Sequence, residues 1–271
     1  MHERLSINSI CFWGATFAQV ADHWRTLGAR RVSMMSHEVL KEDTSVLQHV
    51  LGSGGYQLET IAHPFLPFKP LEPREESWAE SRATLSRLIR IATQLKARSI
   101  YTLTGGHGTL TWEQAAETFS EAIAPCVAQA RDEGIALAIE NSSVLYADNH
   151  IAHSLRDTIT LAEMAGVGVC MDLYLCWPEA GLHELIERAI PRLHVVQVSD
   201  YVYGDRALPC RAVPGDGAVP FRRIFEWLLR AGYTGAFDFE LIGPRIDKEG
   251  HLEATRRASR YVEAMLHELG A

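Results

Sequence analysis

Residues 135–142, IALAIENS, form the stretch of sequence that best indicates how this chain folds. Five residues without formal charge follow Gly134 and give way abruptly to the acid Glu140 and the amide Asn141. A short apolar run bounded in this way is typical of a strand that is covered on both faces. A carboxylate at the end of such a strand is costly unless it is paired, solvated or bound to a metal. The stretch therefore predicts a buried strand that delivers a carboxylate at its C-terminal end.

Three later stretches repeat this design, in which an apolar run ends in an oxygen-bearing side chain. GVGVCMD ends in Asp172, LHVVQVSD carries Gln197 and Asp200, and GAFDFE ends in Glu240. Together with Glu140, these side chains end four successive predicted strands.

The pattern of short apolar runs and helical segments extends over the whole chain and contains eight such alternations. Regular alternation of this kind indicates parallel βαβ units. Eight units in about 250 residues are the size of a (β/α)8 TIM barrel. A doubly wound sheet is the alternative, but the turn after the first predicted strand, FWGAT, is not the GxGxxG of that fold. The predicted strands are residues 4–12, 31–35, 56–62, 99–103, 135–142, 167–173, 193–199 and 236–241. The predicted helices are residues 17–27, 42–51, 75–96, 111–133, 154–165, 182–188, 221–230 and 252–269.

Composition limits the classes of protein that remain. The formal net charge is −8, which argues against a nucleic-acid surface, since such a surface needs a basic stripe. The five cysteines form no CxxC pair, so neither a disulfide framework nor a structural zinc site is expected. The N-terminus lacks the apolar segment of a signal peptide, and no stretch is long and apolar enough to cross a membrane. We expect a cytoplasmic protein with a single domain over residues 1–271.

The strand ends predict a metal centre. In a TIM barrel the C-terminal ends of the strands converge on one mouth, where sites are built. Glu140, Asp172, Gln197 and Glu240 would then supply three carboxylates and an amide oxygen, and three acids this close repel one another unless a cation joins them. Oxygen ligands favour Mn²⁺ or Mg²⁺, with Co²⁺ and Zn²⁺ as alternatives. The competing interpretation is that each acid only ends a strand in a hydrated mouth.

The motifs IALAIEN, VGVCMD, HVVQVSD, VPGDGAVPF and FDFE resemble the xylose isomerase-like TIM-barrel superfamily over nearly the whole chain. This superfamily includes sugar phosphate isomerases and epimerases, inosose dehydratases and 3-dehydroshikimate dehydratases. The resemblance implies that Glu140, Asp172 and Glu240 bind one divalent metal ion.

Two positions depart from the pattern that the resemblance implies. Gln197 stands where the family usually has a histidine, although an amide oxygen can still bind a metal and the 3-dehydroshikimate dehydratases resemble this arrangement. Leu175 stands where the family often has another histidine, three residues after the strand-six aspartate. These departures put a standard ketose 3-epimerase in doubt and favour a specialised substrate, or chemistry carried by another histidine.

The resemblance implies a metal-dependent isomerase or epimerase of carbohydrate metabolism. Its substrate would be a small polyhydroxylated ketone, sugar-like or cyclitol-like, and the intermediate a metal-stabilised enediolate. Glu140 or Glu240 would take the α-proton, as in the family's epimerases. A lyase or dehydratase that eliminates a β-substituent from a keto-sugar, keto-glycoside or dehydroshikimate-like substrate is the alternative. A non-catalytic or accessory subunit is an alternative of another class.

Further residues are candidates for substrate binding or support. His63, His107 and Arg211 are predicted to contact the substrate, against the alternatives of structural histidines and a loop ion pair. Asn141 is predicted to orient Glu140 behind the metal, and Asp200 to anchor the loop after strand seven. The expected partners are a small-molecule substrate, no nucleic acid and no membrane, with a homo-oligomer or complex possible. An endonuclease IV-like enzyme would need a basic face and many more histidines.

Overall fold

The computed structural model describes residues 1–271, in which eight parallel strands close into a barrel in sequence order, so that β8 pairs with β1. The predicted (β/α)8 TIM barrel is confirmed. The strands are β1 (Leu5–Asn8), β2 (Arg31–Met35), β3 (Gln57–Pro64), β4 (Ser99–Leu103), β5 (Ala136–Glu140), β6 (Gly168–Asp172), β7 (Leu193–Val198) and β8 (Ala236–Phe239).

Helices fill the connections between strands and surround the barrel. Their starts follow local sequence signals: Thr111 and Gln114 form the predicted capping box at the start of α5, and Thr16 caps α1 in the same way. The helices are α1 (Phe17–Leu27), α2 (Ser36–Lys41), α3 (Thr44–Gly54), α4 (Glu75–Gln94), α5 (Trp112–Asp132), α6 (Leu155–Ala165), α7 (Leu173–Cys176), α8 (Leu182–Ala189), α9 (Phe221–Arg230), α10 (Pro244–Glu249) and α11 (His251–Glu268).

The two faces of each strand have different partners. In β8, Phe237 packs on Phe225 of α9, with ring centroids 4.4 Å apart, whereas Asp238 bonds inside the barrel to Asn8 and Ser33. Because side chains alternate along a strand, large apolar residues face the helices and small or polar ones face inward. The barrel interior is therefore free to hold polar groups near its C-terminal mouth.

Two predicted boundaries need correction, and three short helices were not predicted. The first strand ends at Asn8 instead of Phe12, because the Asn8 side chain accepts a hydrogen bond from the Ile10 N–H and starts a 3-10 turn. The predicted helix over residues 42–51 is α3, which begins at Thr44 because the Asp43 carboxylate caps it, and the short helix α2 before it was not predicted. The helices α7 and α10 were not predicted, since each is only one or two turns long. None of the helices is long and apolar enough to cross a membrane.

Candidate active site

A cavity of about 570 Å³ opens at the C-terminal ends of the strands. All eight strand ends or the loops after them contribute lining residues, as expected for the mouth of a TIM barrel. Glu140, Glu240 and Arg211 are the lining residues with a formal charge at neutral pH, and they lie together on the floor. The cavity is therefore the candidate active site.

Strand periodicity explains why the floor is polar. Ala138, Cys170 and Val195 form a small apolar cluster inside the barrel, separate from the main core. Glu140, Asp172 and Gln197 each follow one of these residues by two positions, so they point to the same side, one step nearer the mouth. The register supports this placement, because Asp172 and Gln197 are direct partners in the β6–β7 pair.

Arg211 enters this floor from the loop after β7. Its Nη1 and Nη2 donate to Asp172 Oδ1 and Oδ2 at 3.1 and 2.7 Å, and its Nη2 also lies 2.9 Å from Glu240 Oε1. The guanidinium carbon lies 4.9 Å from the centre of the Tyr174 ring, and Ser199 accepts a further hydrogen bond. Only 8% of the Arg211 side chain is exposed. Arg211 lines the cavity, where its partners are the two acids, and its contact with a substrate stays a prediction.

Gln197 forms hydrogen bonds to Glu240 on the floor of the cavity and to Tyr101 on its wall. Its Nε2 donates to Glu240 Oε2 and to the Tyr101 hydroxyl, the latter at 3.0 Å. Its Oε1 is buried and has no hydrogen-bond partner. A buried amide oxygen without a partner costs free energy, so this atom needs a ligand that the protein does not itself provide.

The two glutamates of the floor hold protons more tightly than exposed acids do. Burial raises the pKa of Glu140 well above its usual value, and the Glu240 and Asp172 carboxylates raise it further. Burial also raises the pKa of Glu240 to about 7, although Arg211 acts against the rise. Burial raises the pKa of Tyr101 well above its usual value, so its hydroxyl stays protonated. Carboxyl groups shifted toward neutrality are suited to accept and return protons.

His63 lies on the wall of the same cavity, at the end of β3. Its Nδ1 lies 3.0 Å from the Ser36 hydroxyl, and its buried Nε2 has no hydrogen-bond partner. Burial lowers the pKa of His63 to about 4, so the ring is neutral at pH 7. The prediction that His63 contacts a substrate remains open to test, and the unpartnered Nε2 supports it.

His107 and Asn141 do not lie where their predicted roles require. His107 is not among the residues that line the cavity, and its Nδ1 lies 3.1 Å from the Leu110 carbonyl oxygen. Asn141 makes no hydrogen bond to the Glu140 side chain: its Nδ2 donates to the Asp172 carbonyl and its Oδ1 accepts from the Asp172 N–H, at 3.0 and 2.8 Å. The reason is strand alternation, which turns Asn141 away from the side of Glu140 and toward β6. Asn141 therefore positions Asp172.

Asp200 lies where the sequence predicted an anchor. Its carboxylate accepts hydrogen bonds from the backbone N–H groups of Tyr201, Gly215, Gly217 and Val219, at 2.8 to 3.0 Å. A side chain on Gly217 would meet this carboxylate and the Tyr201 carbonyl, at 2.4 and 2.2 Å from its Cβ. The VPGDG sequence is thus a turn wrapped around one buried acid.

His150 supports the site and was not assigned a role from sequence. Its Nδ1 accepts from the Thr104 N–H at 3.0 Å, so its Nε2 carries the proton and donates to the Glu140 carbonyl at 2.7 Å. The neutral ring therefore holds the end of β5 to the end of β4. No sequence signal identifies it, because it lies in an irregular loop. Tyr101 was also missed, although strand alternation alone places it opposite the outward-facing Ile100.

The floor offers oxygen donors to a divalent cation, but these donors do not face a common point. No group of three His, Cys, Asp or Glu side chains has the arrangement of a metal site, because Asp172 and Glu240 are turned toward Arg211. The donor types nevertheless fit a hard cation, with three carboxylates and the unpartnered oxygen of Gln197. A divalent ion bound by these groups would compete with the Arg211 guanidinium for the same oxygens.

The closed barrel and the polar floor of its mouth define the class of TIM-barrel proteins whose site is built at the strand ends. The family model described as the xylose isomerase-like TIM barrel matches residues 16–265, and the chain belongs to this family. The resemblance found in the sequence motifs is confirmed.

Several solved structures share the architecture. An L-ribulose 3-epimerase is 15% identical, with 98% of this chain and 95% of that chain covered and a TM-score of 0.82. The IolI protein, with a bound zinc atom, is 12% identical, with 98% and 99% covered and a TM-score of 0.82. The probable 3-DHS dehydratase AsbF from Bacillus anthracis is 12% identical, with 96% and 98% covered and a TM-score of 0.77. Similarity at these identities shows the fold alone. No curated protein matches the chain.

Proposed function

We propose that this protein is a divalent-metal-dependent isomerase or epimerase that moves the α-proton of a small polyhydroxylated ketone. The observation that carries the proposal is that two nearly buried carboxyl groups, Glu140 and Glu240, lie together on the floor of the mouth cavity. Membership of the xylose isomerase-like family supports it. The similarity to an L-ribulose 3-epimerase is consistent with this class of reaction.

The chain's own residues supply the proton transfer. Glu240 lies on the cavity floor, where its carboxylate would accept a proton from the substrate and return it. Glu140 is the second acid on the same floor and would be the group that returns the proton. The neutral His63 has a free Nε2 on the wall, where it would orient a substrate hydroxyl. Return to the opposite face gives epimerisation, and return to the neighbouring carbon gives isomerisation.

We further propose that Glu140, Asp172, Gln197 and Glu240 hold the metal. Their oxygen donors favour Mn²⁺ or Mg²⁺, and the zinc atom in the IolI structure is consistent with a divalent ion in this fold. When bound, the ion supplies positive charge that stabilises the anion left by loss of the α-proton. Arg211, which pairs with Asp172 and Glu240, would have to give up oxygens of these acids for the ion to bind, and its guanidinium would then be available to the substrate.

Proton exchange in D₂O tests the proposal. The protein is incubated with Mn²⁺ or Mg²⁺ and a set of ketoses, and loss of the α-proton signal is followed by NMR. We expect exchange with the wild type and with the exposed helix variant Glu121→Gln, and none with Glu240→Gln. Metal content by mass spectrometry is measured on the same samples. Folded wild-type protein that takes up no metal and exchanges no proton would be an accessory barrel, and the proposal would be abandoned.

A second candidate function is elimination, and Tyr101 favours it. Its hydroxyl lines the cavity, stays protonated and lies 3.0 Å from Gln197 Nε2. After α-proton loss, a protonated phenol at this position would donate to a departing β-substituent. Similarity to the probable 3-DHS dehydratase AsbF is consistent with this chemistry. Product analysis separates the two functions: a rearranged ketose indicates isomerisation, whereas a dehydrated or shortened ketone, formed more slowly by Tyr101→Phe, indicates elimination.

A further inference from the structure

The upper wall of the mouth cavity differs in chemistry from its floor. Eleven of the nineteen lining residues are hydrophobic, whereas the three charged ones meet on the floor. Apolar residues come from the segments after β1, β3, β5, β6, β7 and β8, so they surround the opening. Six that carry the argument are Ile10, Trp13, Phe68, Leu175, Leu208 and Ile242.

Two aromatic side chains at the rim are largely exposed. Trp13 is 59% exposed and Phe68 is 66% exposed, and both line the cavity. Exposed apolar side chains that border a cavity are typical of a ligand-binding surface.

The backbone at Phe68 is held in an unfavourable conformation. Its φ is 54°, in the left-handed region that bulky residues rarely adopt. The side-chain oxygen of Asn149, which is buried, accepts a hydrogen bond from the Phe68 N–H at 2.9 Å and fixes this conformation. Strain that is maintained in this way, to hold an exposed ring over a cavity, indicates a function for the ring.

A free sugar would match only part of this cavity. Hydroxyl groups that are buried against apolar side chains lose hydrogen bonds to water and gain none, which costs free energy. At the upper wall, Leu175, Leu208 and Ile242 offer no side-chain hydrogen-bonding group. The volume of about 570 Å³ lies within the range of about 300–1,000 Å³ found for sites that take drug-sized, mostly apolar ligands.

We infer that the substrate carries a large, flat apolar body, aromatic in character, joined to the polar keto head that the floor receives. The body lies between the loops that carry Trp13 and Phe68 and stacks on their rings. The inference that the keto head binds at the floor rests on the proposed function. The inference of an apolar body rests only on the residues of the upper cavity wall. Leu175 fits this assignment, because a polar side chain at its position would interrupt the apolar wall.

Matched ligands test the inference on the full chain loaded with Mn²⁺. The probes are D-fructose and its 6-O-benzyl ether, which share the same keto head. Calorimetry gives the Kd of each, and NMR in D₂O gives α-proton exchange. We expect the benzyl ether to bind at least about tenfold more tightly, since one well-stacked aromatic group contributes on the order of a tenfold change in Kd.

Variants show where the preference arises. Trp13→Ser and Phe68→Asn are each expected to weaken binding of the benzyl ether far more than binding of D-fructose, so that most of the tenfold preference is lost; asparagine tolerates the left-handed backbone at position 68. Tyr203→Ser is the matched control, because Tyr203 is 76% exposed and does not line the cavity. Circular dichroism verifies that each variant is folded.

The outcomes separate this inference from the proposed function. Equal affinity for the two probes, or a preference that survives both rim variants, overturns the inference even if protons exchange. A preference that both rim variants remove, without proton exchange in either probe, supports the inference and counts against the proposed function.

Discussion

Arg211 supplies the one Lys or Arg cation among the residues that line the cavity. It pairs with Asp172 through both terminal nitrogens and also reaches Glu240, and the whole group is buried. A buried charge whose partner is removed costs far more than an exposed one, because water no longer solvates it. Without a metal, the stability of this floor therefore depends on one guanidinium.

The variant Arg211→Met leaves Asp172 unpaired while keeping much of the side-chain volume. We expect the metal-free variant to lose about 3–5 kcal/mol of unfolding free energy, and added Mn²⁺ to restore most of it by occupying the same oxygens. Urea unfolding with and without Mn²⁺ measures both effects. The control Arg257→Met removes exposed ion pairs to Asp216 and Glu249 and should cost under about 1 kcal/mol. A metal-free Arg211→Met protein as stable as the wild type would contradict this account.

His63 gives the protein a specific sensitivity to acid. Burial lowers its pKa from 6.5 to about 4 in the folded protein, so the unfolded chain binds its proton first as the pH falls. Neutral His63 therefore contributes stability that is complete above about pH 6.5 and is lost progressively as the pH falls toward 4. The shift corresponds to roughly 3 kcal/mol at most.

We expect His63→Gln to lose less stability than the wild type between pH 7 and pH 5. Urea unfolding at the two values measures the difference. The control is His49→Gln, an exposed position on α3, which should follow the wild type. If His63→Gln and the wild type lose stability in parallel, then the ring is not the neutral, buried group described above.

The loop after β7 is the element that brings Arg211, Leu208 and Pro209 to the cavity. It has little regular structure, and its shape depends on the backbone groups that bond to Asp200. Loops held by one buried acid can open locally without unfolding the barrel. We therefore expect the positions of Arg211, Leu208 and Pro209 at the cavity to depend on the Asp200 carboxylate.

Asp200→Ala leaves four backbone N–H groups without their acceptor. We expect faster amide hydrogen exchange throughout residues 201–219, with unchanged protection in β5 and β6, and a loss of about 1–3 kcal/mol in the opening free energy of the loop. Exchange measured by mass spectrometry tests this. Asp216→Ala, in the same loop, removes only an exposed ion pair to Arg257 and should leave exchange near that of the wild type. Equal protection in Asp200→Ala would show that other contacts hold the loop.

The sequence predicted the elements better than it predicted the contacts between them. All eight strands were located because apolar runs and turn residues are local signals. The four strand-end residues were also placed at one mouth, since topology alone brings such ends together.

The partner of Arg211 could not be predicted in the same way. Asp172 lies thirty-nine residues away along the chain, and the contact depends on the path of an irregular loop. Predicting that Asn141 bonds to Asp172 would have required the register between β5 and β6. Apolar patterns in the sequence do not specify this register. Side-chain direction at a strand end was therefore the weakest part of the prediction.

Closure of the barrel pairs the first strand, β1, with the last strand, β8. β1 lies between β2 and β8, and Arg4, just before β1, donates to the Tyr233 and Gly235 carbonyls at 2.8 and 2.9 Å. Its guanidinium also lies 5.1 Å from the centre of the Phe237 ring. We propose that residues 1–271 form one cooperative domain, because every strand is hydrogen-bonded on both sides and no edge is left where part of the sheet could separate.

Arg4→Leu tests this cooperativity at the β1–β8 seam. We expect a loss of about 1–3 kcal/mol from the hydrogen bonds of a half-buried charge, with far-UV circular dichroism and tryptophan fluorescence still changing in one coincident urea transition. Arg25→Leu, which removes an exposed pair with Asp22, is the control and should leave the midpoint nearly unchanged. Two separated transitions in Arg4→Leu would mean that the seam opens independently of the rest.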